Sequence, residues 1–122
     1  MRGPDVLAEG STVASGETIV RAFQDAFSPR GFKGKLRGKT RFRDGSPDAF
    51  ARPDRLPATA TILAEMPNSP GERSYISIQL ELWDRGSGCD YRLVHLGVVG
   101  PLGVSASKGD ARKRAASFAA AL

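Results

Sequence analysis

The 122-residue chain holds one cysteine, one histidine and one tryptophan, and it has no apolar run long enough to cross a bilayer. A single cysteine, Cys89, excludes an internal disulfide and favours a reducing, intracellular setting, cytoplasmic or nuclear. Cys89 and the lone His95 cannot supply a zinc ligand set without many carboxylates, so no metal is implied. The N-terminal stretch carries Asp5 and Glu9 and lacks an h-region, so no targeting signal is expected. Catalytic constellations are missing too. Glu81, Asp84 and Asp90 read as a hydrated hairpin rim rather than as a paired-carboxylate site. His95 has no serine or cysteine partner in a triad pattern and reads as a cross-strand packing residue. Gly97 to Gly103 lacks the lysine of a phosphate loop. The expectation is a protein that is not an enzyme and uses no cofactor.

What is present is positive charge. Eighteen Lys and Arg against thirteen Asp and Glu give a formal net charge of +5, which suits a polyanionic partner. Its distribution is uneven. Lys33, Lys35, Arg37, Lys39, Arg41 and Arg43 all occupy odd positions, with Phe32, Leu36, Thr40 and Phe42 at even ones. In an extended chain that period of two puts every cation on one face and the apolar side chains on the other. Two readings stay open here: an arm lying along a nucleic-acid backbone, or an edge strand protected from aggregation by its charge.

In chain order, residues 1–15 show no period and read as a flexible arm. Ile19, Val20, Phe23 and Phe27 fall on one helical face, and Ser28-Pro29-Arg30-Gly31 ends it, so a helix is predicted over about 16–28. Residues 16–56 comprise this helix, the cationic segment and a loop over 44–57 with three prolines. Residues 57–66 are ambiguous. Pro57, the alanines, Leu63 and Glu65 favour a helix, whereas Thr59, Thr61 and Ile62 favour a strand. From Ser74 to Trp83 the alternation of Ile76, Ile78, Leu80 and Leu82 with Ser77, Gln79 and Glu81 predicts a half-buried strand. A turn at 84–90 and a second strand at 91–99 follow, with a possible third through Ser105. Tyr75, Trp83 and Tyr91 can stack on bases, or simply edge the core. Ser107 and Asp110 form a capping box, so a last helix begins at about Lys108. Its apolar stripe is Ala111, Ala115, Phe118, Ala119 and Leu122. Its basic start, with Lys108, Arg112, Lys113 and Arg114, suits a phosphate or an ordinary solvated helix.

Gly103-Val-Ser105-Ala-Ser107, then Lys108-Gly-Asp-Ala-Arg112, then Ala115-Ala116, resembles the end of a double-stranded RNA-binding domain. Tyr91, opening a strand, and Leu63-Ala64-Glu65 match that family further upstream, so the resemblance covers about 57–122. It departs from the family at Gly109, where a lysine is usual, and in 84–90, which lacks the family's histidine. The resemblance implies an α+β fold of α-β-β-β-α type, with an antiparallel three- to four-stranded sheet and helices packed on one face. It also implies shape-based binding of double-stranded or structured RNA over about 16 base pairs. Under it, Lys108, Arg112 and Lys113 hold phosphates, Glu65 accepts from a 2′-hydroxyl, and Arg85 and Ser87 probe the minor groove. Lys33, Lys35, Arg37, Lys39, Arg41 and Arg43 add charge. If 58–66 is a strand instead, the helix at 16–28 becomes the first helix, the cationic segment becomes an extra strand, and the fold is a similar α+β sandwich of different connectivity. A protein partner or a homodimer, through the alanine-flat helix or a strand edge, is the alternative, as is an assembly module of a virus or ribosome-like particle. No membrane partner is expected.

Overall fold

The computed structural model describes residues 5–27, 40–45, 58–67, 75–99 and 107–122. The elements follow the order β1 (Asp5–Thr12), α1 (Gly16–Ala26), β2 (Arg41–Asp44), β3 (Ala60–Pro67), β4 (Tyr75–Asp84), β5 (Cys89–Val99) and α2 (Ser107–Ala120). The strands form one antiparallel sheet in the order β1-β5-β4-β3-β2. This is the expected α+β class with a wider sheet, because strands are added at both edges.

β1 is a correction to the loose arm expected over residues 1–15. It pairs along β5, with Glu9 opposite Arg92 and Thr12 opposite Cys89. Its partner lies some eighty residues downstream, so no local hairpin signal announces it. The ambiguous stretch at 57–66 is strand β3. Ile62, Ala64 and Met66 lie beside Leu80, Ile78 and Ile76 of β4, and that packing overrides the helix propensity of the alanines. The possible third strand near Ser105, the loop at 46–57 and Lys33, Lys35, Arg37 and Lys39 lie outside the described residues.

Helix α1 begins as its residues dictate. The Ser15 hydroxyl accepts from the Thr18 amide at 3.2 Å, and Glu17 sits in the first turn, where the helix dipole favours an acid. One turn apart, Ile19 and Phe23 are fully buried, and Phe27 closes the helix with its amide donating to the Phe23 carbonyl at 3.0 Å. Thr40 then donates its hydroxyl to the Phe27 carbonyl at 2.6 Å, fixing the start of β2 to the end of α1.

Both helices lie on one face of the sheet. Ile76, Ile78, Leu80 and Leu82 of β4 and Leu93 of β5 share a core with Ile19, Phe23 and Phe27 of α1 and Ala111, Ala115 and Phe118 of α2. A run of aromatic contacts crosses this layer. Phe42 of β2 meets Phe23 edge-on at 5.8 Å, Phe23 meets Phe118 at 6.4 Å, and Phe118 meets Tyr91 of β5 at 5.5 Å. Such edge-to-face pairs each contribute about 0.5–1.5 kcal/mol beyond the area they bury.

The other face corrects the expected half-buried strand. Ser77, Gln79 and Glu81 of β4 are 8%, 2% and 1% exposed, so β4 is buried on both sides. There the Arg92 guanidinium, the direct cross-strand neighbour of Glu81, donates Nε–H to its carboxylate. The rim acid of the sequence reading is therefore an interior ion pair. Two glycines shape the ends of the β4–β5 hairpin. Gly88 has φ +152°, and a Cβ there would lie 2.2 Å from the Thr12 carbonyl oxygen, so only glycine lets β1 approach the turn. Gly97 has φ +127° beside the register shift between Ser77 and Ile78.

Candidate nucleic-acid interface

The cations of the described residues divide by what they already hold. Arg92 is bound to Glu81. Arg43 pairs with Glu65 at 3.2 Å, Arg85 with Asp90 at 3.0 Å, and Arg21 with Glu17 at 3.8 Å. Arg114 donates to the Ala26 carbonyl at 3.0 Å, where it satisfies the open C-terminal end of α1 and ties the two helices together. Arg41, Arg112 and Lys113 are exposed and have no ion pair among the described residues. Two of these three are neighbours on α2.

Their exposure follows from how α2 is seated. Ala111, Ala115 and Phe118 are 2%, 1% and 0% exposed and face β1, β5 and α1. A stripe at positions i, i+4 and i+7 leaves the intervening residues on the outer side. Arg112, Lys113, Ala116 and Ser117 are accordingly exposed. The expected stripe of Ala111, Ala115, Phe118, Ala119 and Leu122 matches, with Ala119 and Leu122 half-buried at its far end. Lys108 occupies the first turn of the same helix, one turn before Arg112.

The remaining candidates do not converge on this ridge. Glu65, assigned to a helix by the family pattern, lies on strand β3 and is tied to Arg43. Its cross-strand neighbours are Arg41 and Ser77, which places it on the sheet face opposite the helices. Arg41 and Arg43 share that face, while Phe42 between them points to Phe23, so the alternation expected for the cationic segment holds over Thr40–Arg43. They stand on the edge strand farthest from α2, which packs on β1 and β5. A cationic edge strand is the role they play in the fold.

Arg85 and Ser87 are exposed in the β4–β5 turn, where the Arg85 amide donates to the Gly88 carbonyl at 2.9 Å. That turn adjoins the start of α1, whose Gly16 lies beside Leu82. Arg114, by contrast, reaches the end of α1 at Ala26, and Arg112 and Lys113 precede it on α2. Arg85 and Ser87 therefore sit at the opposite end of the sheet from the α2 cations, and the two groups form no common site.

Next to Ser87 an open cleft of about 300 Å³ is lined by Ala14, Ser15, Gly16, Asp84 and Cys89 among others. The Cys89 thiol is held above its ordinary pKa of 9.0, first by burial and then by Asp84 and Asp90, against a lowering by Arg85. A thiol so placed is a packing group rather than a nucleophile at neutral pH. Among the described residues no group of three or more His, Cys, Asp or Glu side chains could hold a metal ion. No described helix is long and apolar enough to cross a membrane.

Sequence reasoning missed the Glu81–Arg92 pair, although the signal was there. Counting inward from the hairpin ends Asp84 and Cys89 sets residue 81 opposite residue 92. No family model, no curated protein and no solved structure matches the chain.

Proposed function

We propose that this protein is a non-catalytic RNA-binding protein that holds the phosphate backbone of double-stranded or structured RNA along the outer ridge of α2. The observation that carries the proposal is the pairing of two exposed cations, Arg112 and Lys113, with no ion pair among the described residues, on a helix whose inner stripe is fixed in the core. Lys108 occupies the first turn of the same helix, where the dipole also favours an anion.

Two helices on one face of an antiparallel sheet support this reading. β2 stands between α1 and β3, however, and Leu63–Glu65, matched to the family's first helix, lie on a strand, so the connectivity is not the family's. On this reading the contacts are to phosphates and 2′-hydroxyls, because the deep major groove of A-form RNA admits no side chains to its bases. Glu65, Arg43, Arg85 and Ser87 take no part.

Binding to a 20-base-pair RNA duplex, the same sequence as DNA, and single-stranded RNA tests the proposal. The wild type should prefer the RNA duplex, and Arg112→Ala/Lys113→Ala should weaken binding to it while leaving the melting temperature unchanged. Equal affinity for all three nucleic acids, or an unaltered affinity in the variant, contradicts it. The competing reading, association with protein, is favoured by a separate feature, the edge of the sheet formed by β1.

A further inference from the structure

The two edges of the sheet are unlike. β2 is four residues long and carries Arg41, Arg43 and Asp44, the kind of short, charged edge that resists strand addition. β1 is eight residues long, carries Asp5 and Glu9 but no Lys, Arg or Pro, and among the described residues ends the sheet on the other side. Val6 and Val13 are the exposed large hydrophobic residues among those described, at 49% and 90%, one near the start of this strand and one just past its end. An edge with open backbone groups and an apolar residue near each end is a template for another strand.

We propose that β1 is a homodimer interface, pairing antiparallel with β1 of a second copy to make a continuous ten-stranded sheet. The strand selects its own register. A two-fold axis perpendicular to the sheet must pass midway between one residue and its own copy, so that paired residues share a face. An axis at Glu9 would oppose two carboxylates, and one at Ala8 would lie in the irregularity between Val6 and Ala8. An axis at Gly10 opposes Glu9 to Ser11 and Ala8 to Thr12 and brings no like charges face to face. Leu7 is the extra residue of that irregularity and packs with Ala8 against the core, so Val6 returns to the face of Glu9 and meets the Val13 end of the second copy, and one partner covers both exposed valines twice over. Gly10 has no side chain on the axis, and the Tyr91 hydroxyl occupies the space a Cβ would take, 2.9 Å away.

The consequence for the α2 ridge rests on the RNA reading. α2 packs on β1 and β5, and this axis leaves the two α2 helices on the same face, on either side of the new strand pair. Two short cationic ridges become one surface with twice the phosphate contacts, and duplex RNA should draw the dimer together.

Sedimentation without RNA tests the interface by itself. At a concentration on the order of 0.1 mM, well above a micromolar dissociation constant, the wild type should approach twice its 13.0 kDa mass. Val6→Lys/Val13→Lys, changing only exposed side chains, should stay monomeric with an unchanged melting temperature. The register is read by cross-linking: a mixture of Glu9→Cys and Ser11→Cys proteins should form a disulfide dimer several-fold faster than either alone. A monomeric wild type, a dimeric lysine variant, or equal cross-linking in the unmixed samples overturns the proposal. None of these readouts involves RNA, so they leave the RNA reading standing or falling separately. Adding the 20-base-pair duplex should then lower the concentration needed for dimerisation.

Discussion

A carboxylate that is 1% exposed and a guanidinium that is 8% exposed are tolerable in an interior only together. Removing Arg92 takes from the buried Glu81 carboxylate the guanidinium that donates to it, at a cost of about 3–5 kcal/mol. Arg92→Met should lower stability by about that amount in urea unfolding and Glu81→Gln by less, since Glu9 also stands opposite Arg92, while the double variant recovers much of the loss. Equal and additive losses would mean that the two side chains do not depend on one another. Cys89 carries a smaller, pH-dependent contribution. Its folded pKa is raised above 9.0, so the folded state keeps the proton longer than the unfolded chain does. Stability from this group is therefore intact below pH 9.0 and falls as the pH rises from there through the folded pKa. Cys89→Ala should flatten the alkaline limb of a stability–pH curve, and alkylation of the native thiol at neutral pH should be slow. The pair could be found by hairpin counting from Asp84 and Cys89. The burial of that face could not, because Ser77, Gln79 and Glu81 are the residues that normally face water.

At the scale of elements, the periods in the sequence place α1, β4, β5 and α2 to within a few residues. Each has its own strong pattern: the Phe23–Phe27 spacing, the Ile76–Leu82 alternation, and the Ala111–Ala115–Phe118 stripe. The elements that escaped depend on distant partners. β3 has alanine-rich local propensity and becomes a strand only between β2 and β4. β1 has no period of its own, and pairing with β5 defines it. The family's helix at Leu63–Glu65 was lost for the same reason. Seating of α2 is the element the candidate interface depends on. Phe118 is fully buried between Phe23 and Tyr91, so Phe118→Ala should cost about 3–5 kcal/mol in thermal or urea unfolding. A loss below about 1 kcal/mol would show that the helix is held by its alanines instead.

For the whole molecule, charge is organised by commitment more than by number. The net +5 of the chain suggests a general polyanion binder, yet most described arginines are bound to carboxylates or to a helix end. Among the described side chains the cations without such a partner are Arg41 on an edge strand and the Arg112–Lys113 ridge. The sheet separates them, since Arg41 lies on the face opposite the helices and at the far edge from α2. A binding surface built on so few phosphate contacts must be weak in a single copy and steeply dependent on salt. The salt dependence of binding to an RNA duplex is therefore the most direct measurement of the central claim. The plot of log affinity against log salt should lose about one unit of slope for each cation removed, on going from wild type to Arg112→Ala and then to Arg112→Ala/Lys113→Ala. Slopes that stay the same across the three proteins would contradict the account.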